Sequence, residues 1–410
     1  MKPSYTLLAM LFAVSAAARA QVEPAATDAA ALLAGGTLHY DLRYSQTAQF
    51  YGGPEGDLQR SVVSGEVAYS GSKEALPFNL TYSGGDMWTI SGTSEGSGVF
   101  QHLLVSQGFL RRKWSFTVSD NVSYLPQAAT TGFSGIPGVG ILPGSPGEPT
   151  QPILTLNTRS INNAVSPDFT YNLDYATKVS IGGSYGILRF PDGNGLEVDS
   201  MQVAPQVERR LDALNSLTGQ YVFSRFTYTQ FAFAMETQSA LFGYQRTWSR
   251  RFKTTFALGP EWVRSSDSAA IPSSTHLTAN ANASYEARST TVTLSYSQAS
   301  TGGAGVTTEP GTHIQDVNGA FSRQFGRNLT ITATGTYMRT QGLLNGGSIN
   351  GVFGGVAATR QLGRYISVFA NYTAIKQSSS AALPTNAISG LSQVAAFGVG
   401  YSPREIHLKK

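Results

Sequence analysis

Proton transfer or metal binding near neutral pH would start from the histidines, of which there are five: His39, His102, His276, His313 and His407. None stands in a paired-ligand or hydrolytic motif. His39 alternates with Asp41 and Arg43, so in an extended chain the three share a face and His39 is the one candidate general base. With hydroxyl residues throughout the chain, nothing singles out a nucleophile for it. Asp192-Gly193-Asn194-Gly195 has the beginning of a calcium loop without the remaining ligand spacing, and is assigned to a turn. No glycine motif suits a phosphate cradle. The expectation is therefore a protein that is no enzyme, with no catalytic residue, no metal site and no cofactor.

The other charges that alternation would set on a wetted face are Asp41, Arg43, Glu66, Lys178, Lys253 and Asp316. A dense ladder of one sign would focus a field and select ions; this set is scattered and mixed, which predicts ordinary wetting and weak ion selectivity.

What must position these side chains is extended backbone, because period two runs through most of the chain. From Leu277 the odd positions read Leu277, Ala279, Ala281, Ala283 and Tyr285, and the even ones Thr278, Asn280, Asn282, Ser284 and Glu286. Trp114, Phe116, Val118, Val122 and Tyr124 oppose Ser115, Thr117, Ser119, Asn121 and Ser123, interrupted only at Asp120. Val292, Leu294 and Tyr296 continue the pattern, as do Leu329, Ile331, Ala333 and Tyr337. A soluble β-sandwich would alternate too, but the strands implied here are roughly 10 to 14 residues long against the usual 5–6. Aromatic residues also gather near both strand ends: Trp114, Trp248, Phe252, Phe321, Phe325 and Tyr365 at one, Tyr124, Tyr185, Trp262, Tyr296, Tyr337 and Tyr372 at the other. Two interfacial girdles explain them.

Connections alternate between short and long. Short turns are placed at Gly71–Glu74, Gly108–Lys113, Ala176–Thr177, Arg210–Asn215, Ser249–Arg251, Arg288–Ser289, Gln324–Arg327 and Gln361–Gly363. Long loops are placed at Phe50–Asp57, Gly84–Gly96, Pro126–Pro167, Pro191–Glu197, Tyr228–Gln230, Ser265–Ser274, Thr301–His313, Gln341–Ser348 and Gln377–Ser389. The fold class expected is all-β, a transmembrane antiparallel up-and-down barrel of about 16–18 strands, with eighteen preferred because eight turns and nine loops join that many, an even count that also puts both termini at the turn end. An apolar phase change near Glu236 implies a bulge or a miscounted pair, and Pro205 removes a ladder hydrogen bond from its strand. Arg246-Thr247-Trp248-Ser249-Arg250, Arg323-Gln324-Phe325-Gly326-Arg327 and Arg360-Gln361-Leu362-Gly363-Arg364 repeat at short turns, as multiplied two-strand units would. Their arginines are attributed to turn chemistry and heads reaching the membrane interface, with a basic rim as the alternative.

Composition agrees. Charged residues are 13%, aromatics 11% and glycines 44 with a mean hydropathy of -0.11, as when half of each strand meets lipid and half meets water. There is no cysteine, so packing and hydrogen bonds alone hold the fold. Lys+Arg 29 against Asp+Glu 25 is too even for a nucleic-acid partner. Lys2, the apolar run Tyr5 to Val14 and Ala18-Arg19-Ala20 form a signal peptide over 1–20. Residues 21–36 would be a short periplasmic segment, 37–402 the barrel, and 403–410 a basic tail.

On the signal peptide, the alternation, the turn and loop asymmetry and the last strand Gln393 to Tyr401, the chain resembles the bacterial outer-membrane β-barrel superfamily, specifically its porin-like many-stranded members. Phe397, Val399 and Tyr401 on one face of that strand are similar to the terminal signal read by the barrel-assembly machinery, although Ser402 to Lys410 follow it. The resemblance implies a cell outer-membrane location in a Gram-negative bacterium, partners that include outer-membrane lipid and a polar solute or polysaccharide, and possible oligomers. It implies a channel passing small polar solutes by diffusion through a polar lumen. Exopolysaccharide secretion, or a structural or adhesive barrel without an open pore, are the alternatives. Porins of this superfamily often fold their third external loop inward; here the third is Pro126–Pro167, expected either as a constriction or as a mobile flap.

Overall fold

The computed structural model describes residues 36–51, 57–71, 73–92, 98–125, 159–193, 195–303, 310–344, 347–380 and 390–408. The expected signal peptide, nearly all of the 21–36 segment and residues 126–158 of the third loop lie outside them.

The described chain is a succession of long strands: β1 (Thr37–Tyr51), β2 (Leu58–Ser70), β3 (Phe78–Ser91), β4 (Gly98–Leu110), β5 (Trp114–Leu125), β6 (Ser160–Asn172), β7 (Thr177–Arg189), β8 (Val198–Arg210) and β9 (Asn215–Tyr228). It continues with β10 (Ala234–Thr247), β11 (Phe252–Ser265), β12 (Ser274–Ala287), β13 (Thr290–Thr301), β14 (Thr312–Phe325), β15 (Leu329–Gly342), β16 (Ser348–Gln361), β17 (Ile366–Ser379) and β18 (Gly390–Tyr401). Each pairs antiparallel with the next, and β1 pairs with β18 from Leu42↔Tyr401 to Tyr51↔Ser392. The sheet is thereby a closed, 18-strand up-and-down barrel without a free edge. A strand of 14 residues is about 48 Å long and, tilted by roughly 40°, crosses an apolar band of ~25 Å together with both its margins.

Which way each side chain points follows from the register, since residues directly opposite one another share a face. Leu294 lies opposite Ala283 and Gly319, Val292 opposite Tyr285 and Phe321, and Tyr296 opposite Ala281 and Val317. Leu277, Phe242, Phe256, Leu258, Val352 and Phe397 on the same face are each 40–60% exposed, as an outward apolar surface must be. Asp120 falls on this face between Val118 and Val122, where its carboxylate accepts a 2.9 Å bond from Asn163 Nδ2.

All eight turns and nine loops fall between the strands expected, most boundaries within about three residues and two moved further. Gly84 to Ser91 belong to β3 rather than to a loop, and Pro167 lies inside β6, whose pairing with β7 skips Ser166 and Pro167. The bulge expected near Glu236 does not occur: β10 keeps one register with β9 throughout and with β11 on both sides of a gap at Ala240 and Leu241. The apolar phase changes there because Met235 and Leu241 point inward. The irregular register is instead in β2, between Gln59 and Arg60. Pro205 leaves a gap of two residues in the β8–β9 ladder without shifting it.

Short turns carry their own side-chain locks. Asp174 accepts the backbone N–H of Ala176 and Thr177, both at 2.7 Å, and Asp212 accepts those of Leu214 at 2.7 Å and Asn215 at 2.9 Å. Ser249 does the same for Arg251 and Phe252. These are Asx- and ST-turns, in which a short polar side chain replaces a backbone acceptor. The Asn215 side-chain amide, followed by backbone donors, holds the Asp212 carboxyl below its ordinary value, and backbone donors do so for Asp174. The contribution of these carboxylates is present above the unfolded-state pKa of about 3.9 and is lost as pH falls through the lowered folded value. Asp212→Ala together with Asp174→Ala is expected to speed amide exchange at 173–177 and 211–215 at pH 7 and to leave exchange near pH 2 unchanged. Unequal protection at both pH values would refute the turn-lock account.

Candidate functional site: the interior of the barrel

Toward the turn end the inward face carries Thr330, Thr332, Thr334, Asn280, Asn282 and Ser284, the small hydroxyl and amide side chains of the alternation. A cavity of about 380 Å³ lies here against β1, β16, β17 and β18, lined among others by His39, Asp41, Arg43, Thr359, Asn371 and Ser402. Asp41 and Arg43 form an ion pair of 2.5 Å within one strand, and Asp41 lies directly opposite Glu66. His39 Nε2 is 3.1 Å from Ser402 Oγ, the hydroxyl partner that the sequence could not select. Its Nδ1 is buried and has no partner among the described residues, so no carboxylate orients the imidazole as a hydrolytic dyad requires.

The remaining charges of this face are spread around the wall. Lys178 pairs with Glu208 on the neighbouring strand at 3.0 Å, Lys253 stands opposite Thr247 and Ser284, and Asp316 accepts hydrogen bonds from Ser297 and Asn318. Register therefore sets Asp41, Arg43, Glu66, Lys178, Lys253 and Asp316 on the face opposite the apolar one, and brings only Asp41, Arg43 and Glu66 together.

Toward the loop end the inward face is different. Val62, Met87, Phe100 and Leu125 of β2 to β5 pack as one buried cluster, and Met338, Phe353 and Ile375 with Ile314 as another. A third and larger cluster joins Leu188, Val198, Phe226, Tyr228, Met235 and Val263 of β7 to β11 with loop residues Phe190, Leu196 and Ile271. The chain leaving β13 folds onto it: Tyr228 Oη donates a 2.6 Å bond to the Gly302 carbonyl, and a side chain at Gly311 would collide with Met235 and Ile271. The inward turn of a loop base is thus seen in the seventh loop; the inward placement considered for the third falls on residues outside the described ones.

A buried polar network holds that inward fold. The Glu261 carboxylate accepts the Ser300 backbone N–H at 2.9 Å and the Ser300 hydroxyl at 2.6 Å, and Ser300 Oγ is 3.1 Å from His313 Nδ1. His313 stacks on His276, with ring centres 4.9 Å apart, and His276 Nε2 is 2.8 Å from Ser274 Oγ. No N–H of Ser300 goes to β12, whose pairing with β13 ends at Ala279↔Gln298, so the carboxylate takes the place of the missing ladder partner. Sequence reasoning missed this network because its members lie on four separate strands and form no motif.

At the loop mouth, Asp192 holds Arg159 through two hydrogen bonds of 2.9 and 2.5 Å. The guanidinium lowers the Asp192 pKa, and that aspartate, part of the calcium-like run, is committed to an ion pair. His102 is bonded to Asn121, and His407 lies in a two-residue strand β19 (Ile406–His407) that pairs with Thr37 and Leu38. Part of the expected tail thus adds to the barrel wall. Phe397, Val399 and Tyr401 face outward at 60, 42 and 43% exposure on β18, which is paired on both sides.

No protein-family model matches the sequence, and no curated protein is significantly similar to it. Solved structures are similar in fold. Pseudomonas aeruginosa OccK5 (OpdH) is 10% identical, with 92% of this chain and 99% of that one covered at a TM-score of 0.48. Pseudomonas aeruginosa OccK2 (OpdF) in complex with glucuronate is 12% identical over 90% and 97% at 0.47, and Acinetobacter baumannii OccAB3 is 9% identical over 90% and 99% at 0.44. At such identities no residue of theirs maps onto a residue here. The fold class expected from the sequence, an all-β antiparallel up-and-down barrel of about 16–18 strands, is the one found, with eighteen strands.

Proposed function

We propose that this barrel sits in the bacterial outer membrane, short turns toward the periplasm, and passes small polar solutes by diffusion through its interior. One observation carries the reading: eighteen strands close into a wall that is apolar outside and, over its periplasmic half, lined by hydroxyl, amide and mixed-charge side chains inside. A closed wall of this kind pairs most backbone donors and acceptors strand to strand and leaves no free sheet edge, as hydrocarbon demands. Some of the inward charges are paired, Asp41 with Arg43 and Lys178 with Glu208, and the others are scattered and mixed in sign, so the lining supports weak selection by charge and recognition of neutral, hydroxyl-rich solutes by many weak hydrogen bonds.

Reconstitution in planar bilayers tests this. Stepwise conductance is expected, with a reversal potential close to zero across a potassium chloride gradient and partial block on adding a neutral oligosaccharide. Insertion as a folded, heat-modifiable barrel without any conductance would overturn the channel reading in favour of a structural barrel. Strong cation or anion selectivity would overturn the assignment of the lining charges.

A further inference from the structure

The short-turn rim is much more basic than the chain as a whole. More than half of the described Lys and Arg residues stand at or beside these turns, including Arg111-Arg112-Lys113, Arg209-Arg210 and Arg250-Arg251. The precursor's formal net charge is only +4, so the remainder of the barrel is correspondingly acidic.

Within this rim four arginines have a distinct placement. Arg209, Arg246, Arg323 and Arg360 each occupy an outward position at a strand end, opposite Leu217, Thr254, Ile331 and Leu329 respectively. Each is followed two residues later by an apolar side chain on the same side: Leu211, Trp248, Phe325 and Leu362, which are 42–60% exposed. Arg246 lies 4.0 Å over the Trp248 ring and Arg323 4.9 Å over that of Phe325. Stacking of this kind fixes the planar guanidinium at the level of the aromatic girdle, with its donors free to turn toward an acceptor. None of the four makes a salt bridge among the described residues. Asp174 and Asp212 lie within the field of Arg209 and Arg246, which leaves Arg323 and Arg360 the least compensated.

Those two flank one surface. Phe325 and Arg360 both lie opposite Leu329, Arg323 lies opposite Ile331, and Val368 lies opposite Arg360. The strands bearing the two arginines are two ladder spacings apart, about 10 Å, with apolar side chains between them. A guanidinium pair at the edge of an outward greasy patch matches a phosphate headgroup with acyl chains below it: the fork binds phosphate oxygens and the apolar strip receives the chains.

We propose that this face, centred on Arg323 and Arg360 and repeated at Arg246 and Arg209, binds anionic phospholipid of the periplasmic leaflet. The proposal rests on the membrane reading above. Attraction of two arginines to an anionic surface predicts heat unfolding on the order of tenfold slower in vesicles of phosphatidylcholine mixed with phosphatidylglycerol than in phosphatidylcholine alone. The double variant Arg323→Gln/Arg360→Gln should reduce that difference to less than about threefold, while Arg327→Gln at a turn tip keeps it. If the double variant does not fold, the salt dependence of the original protein decides: molar salt should remove the phosphatidylglycerol effect and leave phosphatidylcholine rates unchanged. A phosphatidylglycerol effect that is absent, equal in protein and variant, or indifferent to salt overturns the proposal while insertion and conductance leave the membrane reading intact. Failure to insert into either vesicle overturns both.

Discussion

Leu294→Arg is expected to leave most of the protein unassembled, and Thr293→Arg, one residue away, to fold. Leu294 stands in the middle of β13 on the outward face, 54% exposed, between Ala283 and Gly319. Thr293 lies between Ser284 and Ala320 on the inward face. An arginine at the lipid midplane costs ~2–4 kcal/mol, while a single arginine toward the polar half of the interior keeps its hydration. That cost is a large share of the ~5–15 kcal/mol that holds a typical domain together, so the folded fraction should drop steeply and fall again when Ile331→Arg is added. Heat-modifiable mobility on gels after refolding into vesicles measures the fraction directly. Equal loss at positions 293 and 294 would mean that the two faces have been exchanged or that neither meets lipid.

That prediction could be written from the sequence because the middle of β13 is simple: Val292, Leu294 and Tyr296 point outward and the hydroxyls Thr291, Thr293, Ser295 and Ser297 inward. The same simplicity made the strand count, the short turns and the inward set Asp41, Arg43, Glu66, Lys178, Lys253 and Asp316 open to alternation alone. It fails where the interior is itself apolar. Met235 and Phe100 point inward and are buried at 0 and 2% exposure, so the strands that carry them show apolar residues at both parities. In β10 this looks like a bulge, and in β3 the run Ser83-Gly84-Gly85-Asp86 looks like a loop because two glycines and an outward aspartate interrupt the pattern. Side chains three strands apart, such as Glu261 and His313, have no sequence spacing that would reveal them.

The interior is consequently built in two zones with different requirements. The turn-end half needs only wetting, and many substitutions among Ser, Thr and Asn would serve it. The loop half needs shape, because buried clusters are packed to native density and a misfit is felt at once. Glu261 belongs to the second zone: a carboxylate this buried is retained where it completes a backbone ladder that β12 and β13 leave open.

The sharpest steric demand of that zone falls on Gly259, and its replacement is expected to be the most damaging single methyl group in the protein. A Cβ built there would lie 1.7 Å from the Ala240 carbonyl oxygen, 2.7 Å from its carbon and 3.1 Å from the Leu241 Cα. All three are backbone atoms of β10, so no side chain can swing aside to make room. The close approach coincides with the gap in the β10–β11 ladder and with Pro260, which donates no hydrogen bond. Strand β10 leans inward over Gly259 at the point where the ladder no longer fixes it, carrying Leu241 to 9% exposure on the inward face. Gly259→Ala must push the two strands apart and with them the register that positions Glu261, two residues on. Overpacking of cores usually costs 1–3 kcal/mol, and a collision with rigid backbone belongs at or beyond the upper end, about 3 kcal/mol or more. Gly219→Ala is the matched control, since a Cβ at that outward glycine meets nothing within 4 Å. The folded fraction after refolding, followed through a heat ramp, should be nearly unchanged for Gly219→Ala and severely reduced for Gly259→Ala. Like stability in the two variants would show that β10 does not lean across Gly259, and would remove the reason given for the break in the ladder.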